Sequence, residues 1–313
     1  MSTGQVRILV FGAGVNGCAC ASILHQSGIN VTVLARSPRY EFIRDNGIVI
    51  ENPMNHQRSV AKVEVVSSLA PEDYYDYIFV IMRKNQALEI LPILRQNRSP
   101  NIVFMGNTLA DPQEYTNELG KERVLMGHVY AAGRREGNII KAMIVKSIAI
   151  PFGEIDGTNT PRLKMLVSTL NHGISKAKIS THIVDDLVVH AAGVVPIAML
   201  GLKHGGDLRD LAKSKSDLTL MVKAIKESLS VVQALGYKHL SPSDKMMMNT
   251  PLFLLTTMFR LLLKSKLGEV GIGYHLSQAP DEMQQLAKEM HALVKRSGLE
   301  VPSLRAALDV YPS

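Results

Sequence analysis

The residues of this chain that could do chemistry fall in two groups, and the first is the glycine motif GAGVNG. It follows the apolar run RILVF directly and opens a helix-like stretch. There the first glycine permits a tight turn, the second leaves room for a pyrophosphate, and the third lets helix and strand pack closely. The N–H groups and dipole of a helix N-terminus also favour an anion. We therefore expect a dinucleotide to bind through Gly12, Ala13, Gly14, Val15, Asn16 and Gly17. The alternative is a glycine-rich turn without a ligand, and the surrounding strand–helix–strand order disfavours it.

The second group lies in VDDLVVHAAGVVP, residues 184–196, where an apolar helical stretch carries a central histidine. His190 is either a core residue with satisfied ring nitrogens or a proton donor facing a cleft. An ordinary histidine pKa near 6.5 suits proton transfer. Asp186 lies four residues earlier, on the same helical face, and is a candidate partner that would raise that pKa.

The end of the second apolar run, NVTVLA, indicates which dinucleotide binds. An NAD site places an acid about here to bond the ribose 2′-hydroxyl. This chain instead has Arg36, and no acid occurs before Glu41. An arginine suits the 2′-phosphate of NADP, so NADP is the expected cofactor. A solvated loop arginine is the alternative.

Further polar residues follow the next apolar runs. Arg83 and Lys84 come after DYIFVIM, and Asn107 ends FMGN. The C-terminal ends of parallel strands line the ligand crevice. Either basic residue could therefore reach the adenosine phosphate, and Asn107 could orient a nicotinamide or a substrate carbonyl. Their alternative roles are a solvated loop and a turn residue.

The elements that must position these residues change in character along the chain. RILVF, NVTVLA, DYIFVIM, NIVFMGN and RVLMGHVY are typical of buried strands, and they alternate with helix-like segments. This order predicts a parallel sheet with helices on its faces. After about residue 183 the patterns are helical, at roughly 185–204, 207–235, 241–267 and 280–297. We expect an α/β domain at 1–182 followed by an all-α domain at 183–313.

Composition excludes several classes of protein. The net charge of +7 comes from scattered residues, and tryptophan is absent, so no nucleic-acid partner is expected. The longest apolar runs, 191–202 and 251–263, are shorter than the roughly 20 residues of a membrane span. Cys18 and Cys20 are two residues apart, so they do not face each other on a helix. We expect both to be small buried residues of a protein in a reducing compartment, the cytoplasm.

Together these residues resemble the ketopantoate reductase (2-dehydropantoate 2-reductase) family. The resemblance runs through GAGVNG, Arg36, RKNQ at 83–86, the loop at 105–108, GHVYAAGRREGN at 127–138 and EMQQLAKEMHALVKRSGLEVP at 282–302. It implies a Rossmann-type doubly wound parallel sheet followed by a helical domain, with NADPH and a 2-keto acid in the cleft between them. It also implies that Ala131 contributes to the cofactor site, that no metal takes part, and that the protein acts in pantothenate biosynthesis.

The resemblance carries over to some site residues only. Glu282 matches the family's substrate- or cofactor-binding glutamate, and Asn107 matches its N-terminal asparagine. The family's catalytic lysine falls on Asp186 or Val188, and neither can act as a cationic acid. His190 takes the place of the first family asparagine and Val194 that of the second. The serine expected ahead of Glu282 is not evident. We therefore expect a divergent member in which His190, assisted by Asp186 and Glu282, serves catalysis.

Three hypotheses follow from this sequence. The first is an NADPH-dependent reductase of a small 2-keto acid, 2-dehydropantoate or a related carbonyl compound. The second, which the missing lysine motivates, is a non-catalytic NADP-binding sensor or partner-binding protein. Nucleic-acid binding, which rests on the basic charge alone, is third. A homodimer would be in keeping with this kind of enzyme, although no particular residue indicates one.

Overall fold

The computed structural model describes residues 6–109, 111–129, 131–144, 149–172, 176–274, 276 and 280–310. The chain forms two compact units, Met1–Gly106 with Asp111–Ile183 and Asn107–Ala110 with Val184–Ser313. The expected boundary lay between residues 182 and 183. The units divide after Ile183, and the short segment beginning at Asn107 belongs to the helical unit.

The first unit is built from short strands and helices. Its strands are β1 (Arg7–Phe11), β2 (Asn30–Leu34), β3 (Ile48–Glu51), β4 (Arg58–Ala61), β5 (Glu64–Val66), β6 (Tyr77–Val80), β7 (Ile102–Met105), β8 (Val124–Gly127), β9 (Ala131–Glu136), β10 (Ile139–Ile144), β11 (Ile150–Gly153) and β12 (Ala177–Ile179). Its helices are α1 (Val15–Gln26), α2 (Arg39–Asn46), α3 (Lys84–Glu89), α4 (Leu91–Gln96), α5 (Gln113–Leu119) and α6 (Pro161–Asn171).

The main sheet confirms the predicted doubly wound architecture. Its strand order is β12-β11-β8-β7-β6-β1-β2-β5, and β1 pairs in parallel with both β2 and β6. The five apolar runs recognised in the sequence are β1, β2, β6, β7 and β8, and each is almost entirely buried. The order reverses at β1, so the loop after β1 lies where α/β sheets commonly bind ligands.

A second sheet, in the order β4-β3-β10-β9, was not predicted. It packs against α1 through Ile140 and Ala142. Helix α1 consequently has apolar neighbours on two sides, and Cys18, Ala19, Cys20 and Ala21 are fully buried. Small side chains allow that close approach, which explains the run CACA.

The second unit is all-helical, as predicted. Its helices are α7 (Ile183–Lys203), α8 (Leu208–Lys213), α9 (Lys215–Ala234), α10 (Pro242–Asn249), α11 (Leu252–Lys264), α12 (Lys266–Gly268), α13 (Pro280–Ser297) and α14 (Pro302–Leu308), with a π-helical segment at Glu269–Gly273. Two predicted helices are divided. Ser214 caps α9 by accepting from Asp217 N, and Thr250-Pro251 separates α10 from α11.

Helix α7 is a core helix, although its length and composition would also suit a membrane span. In its most apolar window 61% of the residues are buried inside the protein. Pro196 lies within α7 and cannot donate a hydrogen bond to the carbonyl four residues earlier. The hydroxyl of Ser228 on α9 donates to that carbonyl, Ala192 O, at 2.8 Å. The proline is thus accommodated by a side chain of the neighbouring helix.

A charged cluster joins the end of α7 to α8 and α9. His204 bonds through Nδ1 to Asp210 at 2.8 Å and through Nε2 to Asp217 at 2.9 Å. Burial lowers the pKa of His204, but its hydrogen bonds to the two carboxylates outweigh burial and raise the pKa above the usual 6.5. The bond from His204 lowers the pKa of Asp210. The pKa of Asp217 is also lowered, because hydrogen bonds from Lys203 and His204 outweigh its burial.

This cluster should make stability depend on pH. Because the folded pKa of His204 is raised, its contribution is present below the unfolded value of 6.5 and is lost as pH rises through the folded value. The aspartate contributions, whose pKa values are lowered from 3.8, persist across that range. We expect His204→Gln to lower the thermal unfolding midpoint by a few degrees at about pH 6 and by less at about pH 9. Calorimetry at both pH values tests this, and a pH-independent difference would contradict it.

Candidate functional site

The loop between β1 and α1 has the geometry that a dinucleotide motif needs. Gly12 has φ +126°, and a Cβ there would lie 2.4 Å from Ile81 O. A Cβ on Gly17 would lie 1.7 Å from Gly12 O, so only glycine lets α1 start this close to β1. A Cβ on Gly14 would meet nothing within 4 Å, and the residue is exposed. The loop is therefore tight on its protein side and open where a ligand would approach.

The N-terminus of α1 is suited to an anion. Gly14 is its N-cap, no side chain among the described residues caps it, and its first turn contains no acid. Asn16 Oδ1 accepts a hydrogen bond from Ala131 N at 3.2 Å. Two predicted cofactor residues, 115 positions apart, are thus brought together at the start of α1 and β9.

A buried arginine that the sequence did not reveal supports this loop. Arg39, only 7% exposed, donates to Asn138 O at 2.7 Å and to Cys18 Sγ at 3.3 Å. Cys18 Sγ in turn donates to Ala13 O at 3.3 Å. Burial raises the pKa of the Cys18 thiol, although Arg39 opposes this, and the thiol stays protonated. The chain of contacts ties α2, the β9–β10 hairpin and α1 to the glycine loop.

The predicted phosphate-binding residues differ in their surroundings. Arg36 is exposed and lies two residues after the end of β2. Arg83 is the N-cap of α3 and is half-buried. Lys84 forms an ion pair with Glu114 at 2.9 Å, and only 11% of its side chain is exposed. Part of the charge of Lys84 is therefore balanced within the protein, which makes Arg36 the more accessible cation.

Asn107 and Glu282, both predicted site residues, lie in contact. Asn107 Nδ2 donates to Glu282 Oε1 at 3.2 Å across 175 positions of sequence. Two residues further on, Leu109 N donates to Glu289 Oε2 at 3.0 Å, and the Leu109 side chain is buried in the helical core. Gln285 Nε2 donates to Glu289 Oε1 at 3.1 Å. Glu289 was not recognised from the sequence, although it shares a face of α13 with Glu282, seven residues earlier.

One face of α7 is only partly covered by the helical core. Val188, Val189, Ala191 and Ala192 are buried, whereas His190 between them is exposed. The alternative of a core histidine is therefore wrong. Gly193, one helical turn further on, has open space where a Cβ would lie. With the half-buried Asp186 and Val194 this face carries the positions on which the resemblance placed the family's lysine and asparagines.

The two acids at the start of α7 have partners that the sequence did not reveal. Asp186 Oδ1 bonds to His239 Nδ1 at 2.8 Å, and His239 N donates to Asp185 Oδ2 at 2.9 Å. His239 lies in the segment between α9 and α10, so its proximity depends on tertiary structure. Asp186 thus orients the imidazole of His239, and it also lies one helical turn before His190.

Two alanine substitutions separate loop packing from ligand binding. Gly14→Ala should leave the thermal unfolding midpoint unchanged, because its Cβ meets no atom, and should weaken NADPH binding about tenfold or more. Gly17→Ala should destabilise the protein by about 1–3 kcal/mol or more, because its Cβ would overlap Gly12 O. Calorimetry measures both quantities. Unchanged NADPH affinity in a folded Gly14→Ala protein would show that no pyrophosphate lies against this loop.

Comparison with known proteins supports this description. Residues 8–156 match the family description "Ketopantoate reductase PanE/ApbA". No curated protein matches the chain by sequence. Among solved structures, 2-dehydropantoate 2-reductase from Geobacter metallireducens GS-15 has a TM-score of 0.78 at 16% identity, covering 97% of this chain and 98% of that chain.

Two more structures are similar over nearly the full length. The ternary structure of D-mandelate dehydrogenase with NADH and anilino(oxo)acetate has a TM-score of 0.76 at 15% identity, covering 97% of this chain and 96% of that chain. A PanE/ApbA family ketopantoate reductase from Ralstonia eutropha JMP134 has a TM-score of 0.74 at 14% identity, covering 97% of each chain. The resemblance noted in the sequence is confirmed: residues 8–156 match the ketopantoate reductase family, and the fold of its solved members extends over nearly the whole chain.

Proposed function

We propose that this protein is an NADPH-dependent oxidoreductase that reduces a small 2-keto acid, 2-dehydropantoate or a related carbonyl compound, to the 2-hydroxy acid. The observation that carries the proposal is the loop after β1, where the open Gly14 and the N-terminus of α1, which no described side chain caps, fit a pyrophosphate. A nicotinamide cofactor agrees with the family match and with the NADH-bound D-mandelate dehydrogenase.

The preference for NADPH rests on the end of β2. Arg36 is exposed there, and a guanidinium bonds well to a phosphate. Ser37, the next residue, bonds through its hydroxyl to Glu41, so the first acid after β2 is engaged locally. A ribose 2′-phosphate would meet a cation at this edge.

The residues of the helical unit would serve the substrate. The Asn107 amide offers both a donor and an acceptor for a carbonyl or hydroxyl group, and Glu282 fixes its orientation by accepting from Nδ2. NADPH would supply the hydride to the keto carbon. The forming alkoxide then needs a proton, and the exposed imidazole of His190 is the proposed donor. This assignment replaces the family lysine, whose place Asp186 or Val188 takes.

Cofactor and substrate are tested by following NADPH oxidation with a panel of 2-keto acids that includes 2-dehydropantoate. We expect turnover with NADPH, and a lower kcat/KM with NADH. Arg36→Ala should raise the KM for NADPH about tenfold or more while leaving the KM for NADH almost unchanged, because only NADPH carries the 2′-phosphate. Arg44→Ala, at an exposed arginine of α2, is the matched control. NADPH binding without oxidation by any acid of the panel would favour the non-catalytic alternative.

The role of His190 has its own test. His190→Ala should lower kcat about a hundredfold or more if the imidazole donates the proton. His291→Ala, at an exposed histidine of α13, is the control and should retain activity. His239→Ala shows whether the imidazole bound by Asp186 is required instead. An unchanged kcat in His190→Ala would remove His190 from the mechanism.

A cytoplasmic location goes with this function. Cys18 and Cys20 are free and buried, and burial raises the pKa of both thiols, so both stay protonated. Such thiols are in keeping with a reducing compartment.

A further inference from the structure

Arg39 carries a buried positive charge that no acid in the described part of the chain balances. The residue is only 7% exposed, and it forms no ion pair with any described residue. Its guanidinium donates to two neutral acceptors, Asn138 O at 2.7 Å and Cys18 Sγ at 3.3 Å, and lies 5.6 Å from the centre of the Phe42 ring. Its Nε is also buried and has no hydrogen-bond partner among the described residues. A buried charge without a counter-ion destabilises a fold, so this arrangement points to a function.

The surroundings of Cys18 supply no compensating negative charge. Burial raises the pKa of the Cys18 thiol, although Arg39 and Arg135 of β9 both act to lower it. The thiol therefore stays protonated, and it is a neutral hydrogen-bond partner of Arg39 rather than its counter-ion. Two positive charges thus act on the same point of α1, and one of them is buried.

The charge of Arg39 lies close to the loop where we propose that the pyrophosphate binds. Cys18 Sγ is 3.3 Å from both Arg39 Nη2 and Ala13 O, so these two atoms are at most 6.6 Å apart. Ala13 lies between the first two glycines of the motif, and α1 begins at Val15. An anion at the first turn of α1 would lie on the order of 8–10 Å from the guanidinium. At an effective dielectric constant of about 20, a charge at that distance changes the affinity for an anion tenfold or more.

We propose that Arg39 is a positioning residue for the cofactor, whose buried charge attracts the pyrophosphate through space and whose bond to Cys18 holds Ala13 in place. This inference rests on the proposed function and deepens it. It assigns the affinity for any nicotinamide dinucleotide in part to Arg39, and the preference for the phosphorylated one to Arg36. Bound pyrophosphate compensates a charge that is unbalanced in the free protein. The free protein is consequently less stable than its packing allows, as is common for functional sites.

A purely structural arginine has different surroundings, and Arg123 is an example in the same unit. Its guanidinium donates to three backbone carbonyls, Leu94 O, Asn97 O and Ser99 O. It directly precedes β8, whereas the glycine loop follows β1. Because β1, β6, β7 and β8 are parallel, Arg123 lies at the edge of the sheet opposite to the loop. Arg123 is therefore the matched control.

The test replaces each arginine with the uncharged methionine. In Arg39→Met we expect the dissociation constants of NADPH and NADH to rise by the same factor, about tenfold or more, because both dinucleotides carry the pyrophosphate. The thermal unfolding midpoint of the free protein should stay equal or rise, because an unpaired buried charge is removed. Arg39→Lys keeps the charge and should restore most of the affinity, although lysine lacks the planar fork of the guanidinium. Arg123→Met should lower the midpoint and leave both dissociation constants unchanged. Titration and scanning calorimetry measure these quantities.

Four results would overturn the inference. The first is an Arg39→Met protein that binds both dinucleotides as tightly as the wild type. The second is a loss confined to NADPH, which would place the side chain against the 2′-phosphate. The third is a loss that Arg39→Lys does not restore, which would make hydrogen bonding rather than charge responsible. The fourth is a midpoint of free Arg39→Met that falls as far as that of Arg123→Met, because the charge would then stabilise the free protein. A wild type that binds neither dinucleotide would instead remove the proposed function, and this inference with it.

Discussion

The close approach of α1 to β1 is the constraint on which the rest of the proposed site depends. Gly17 lies so near Gly12 that a single methyl group would overlap a carbonyl oxygen. That approach aims the first N–H groups of α1 at the space beside Gly14. Because α1 is also covered by the second sheet, its small residues serve two interfaces at once. The N-terminal end of α1, where we propose that the pyrophosphate binds, is consequently held by packing on both sides.

The main sheet could be predicted from the sequence because its central strands are buried on both faces. Runs such as YIFV and IVFM have no other stable environment, and their alternation with helices leaves few topologies. The second sheet escaped prediction because charged residues interrupt its strands, as in AAGRRE of β9 and IIKAMI of β10, so no continuous apolar run marks them. In the helical unit Ser214 divided a predicted helix by capping, a local effect that a long helical pattern conceals.

At the site, the local motifs could be predicted from the sequence, whereas the tertiary contacts could not. The glycine roles follow from one loop, whereas Arg39 acts through Cys18 and Asn138, which lie 21 and 99 positions away. Nothing near Arg39 in sequence distinguishes it from the exposed Arg36. The same holds for His239, which reaches Asp186 across 53 positions. The helical periodicity of the sequence left open whether His190 lies in the core. Its solvent exposure in the structure shows that it does not.

The pairing of Asn107 with Glu282 has a consequence for how the site keeps its geometry. Although Asn107 follows a strand of the sheet, it belongs with Glu282 to the helical unit. Leu109, inserted in the helical core and bonded to Glu289, anchors the segment that carries Asn107. The distance between the amide and the carboxylate is thus set by contacts inside one unit. Their mutual orientation can therefore persist through any rearrangement of the chain elsewhere, which is the preorganisation that substrate-positioning residues require.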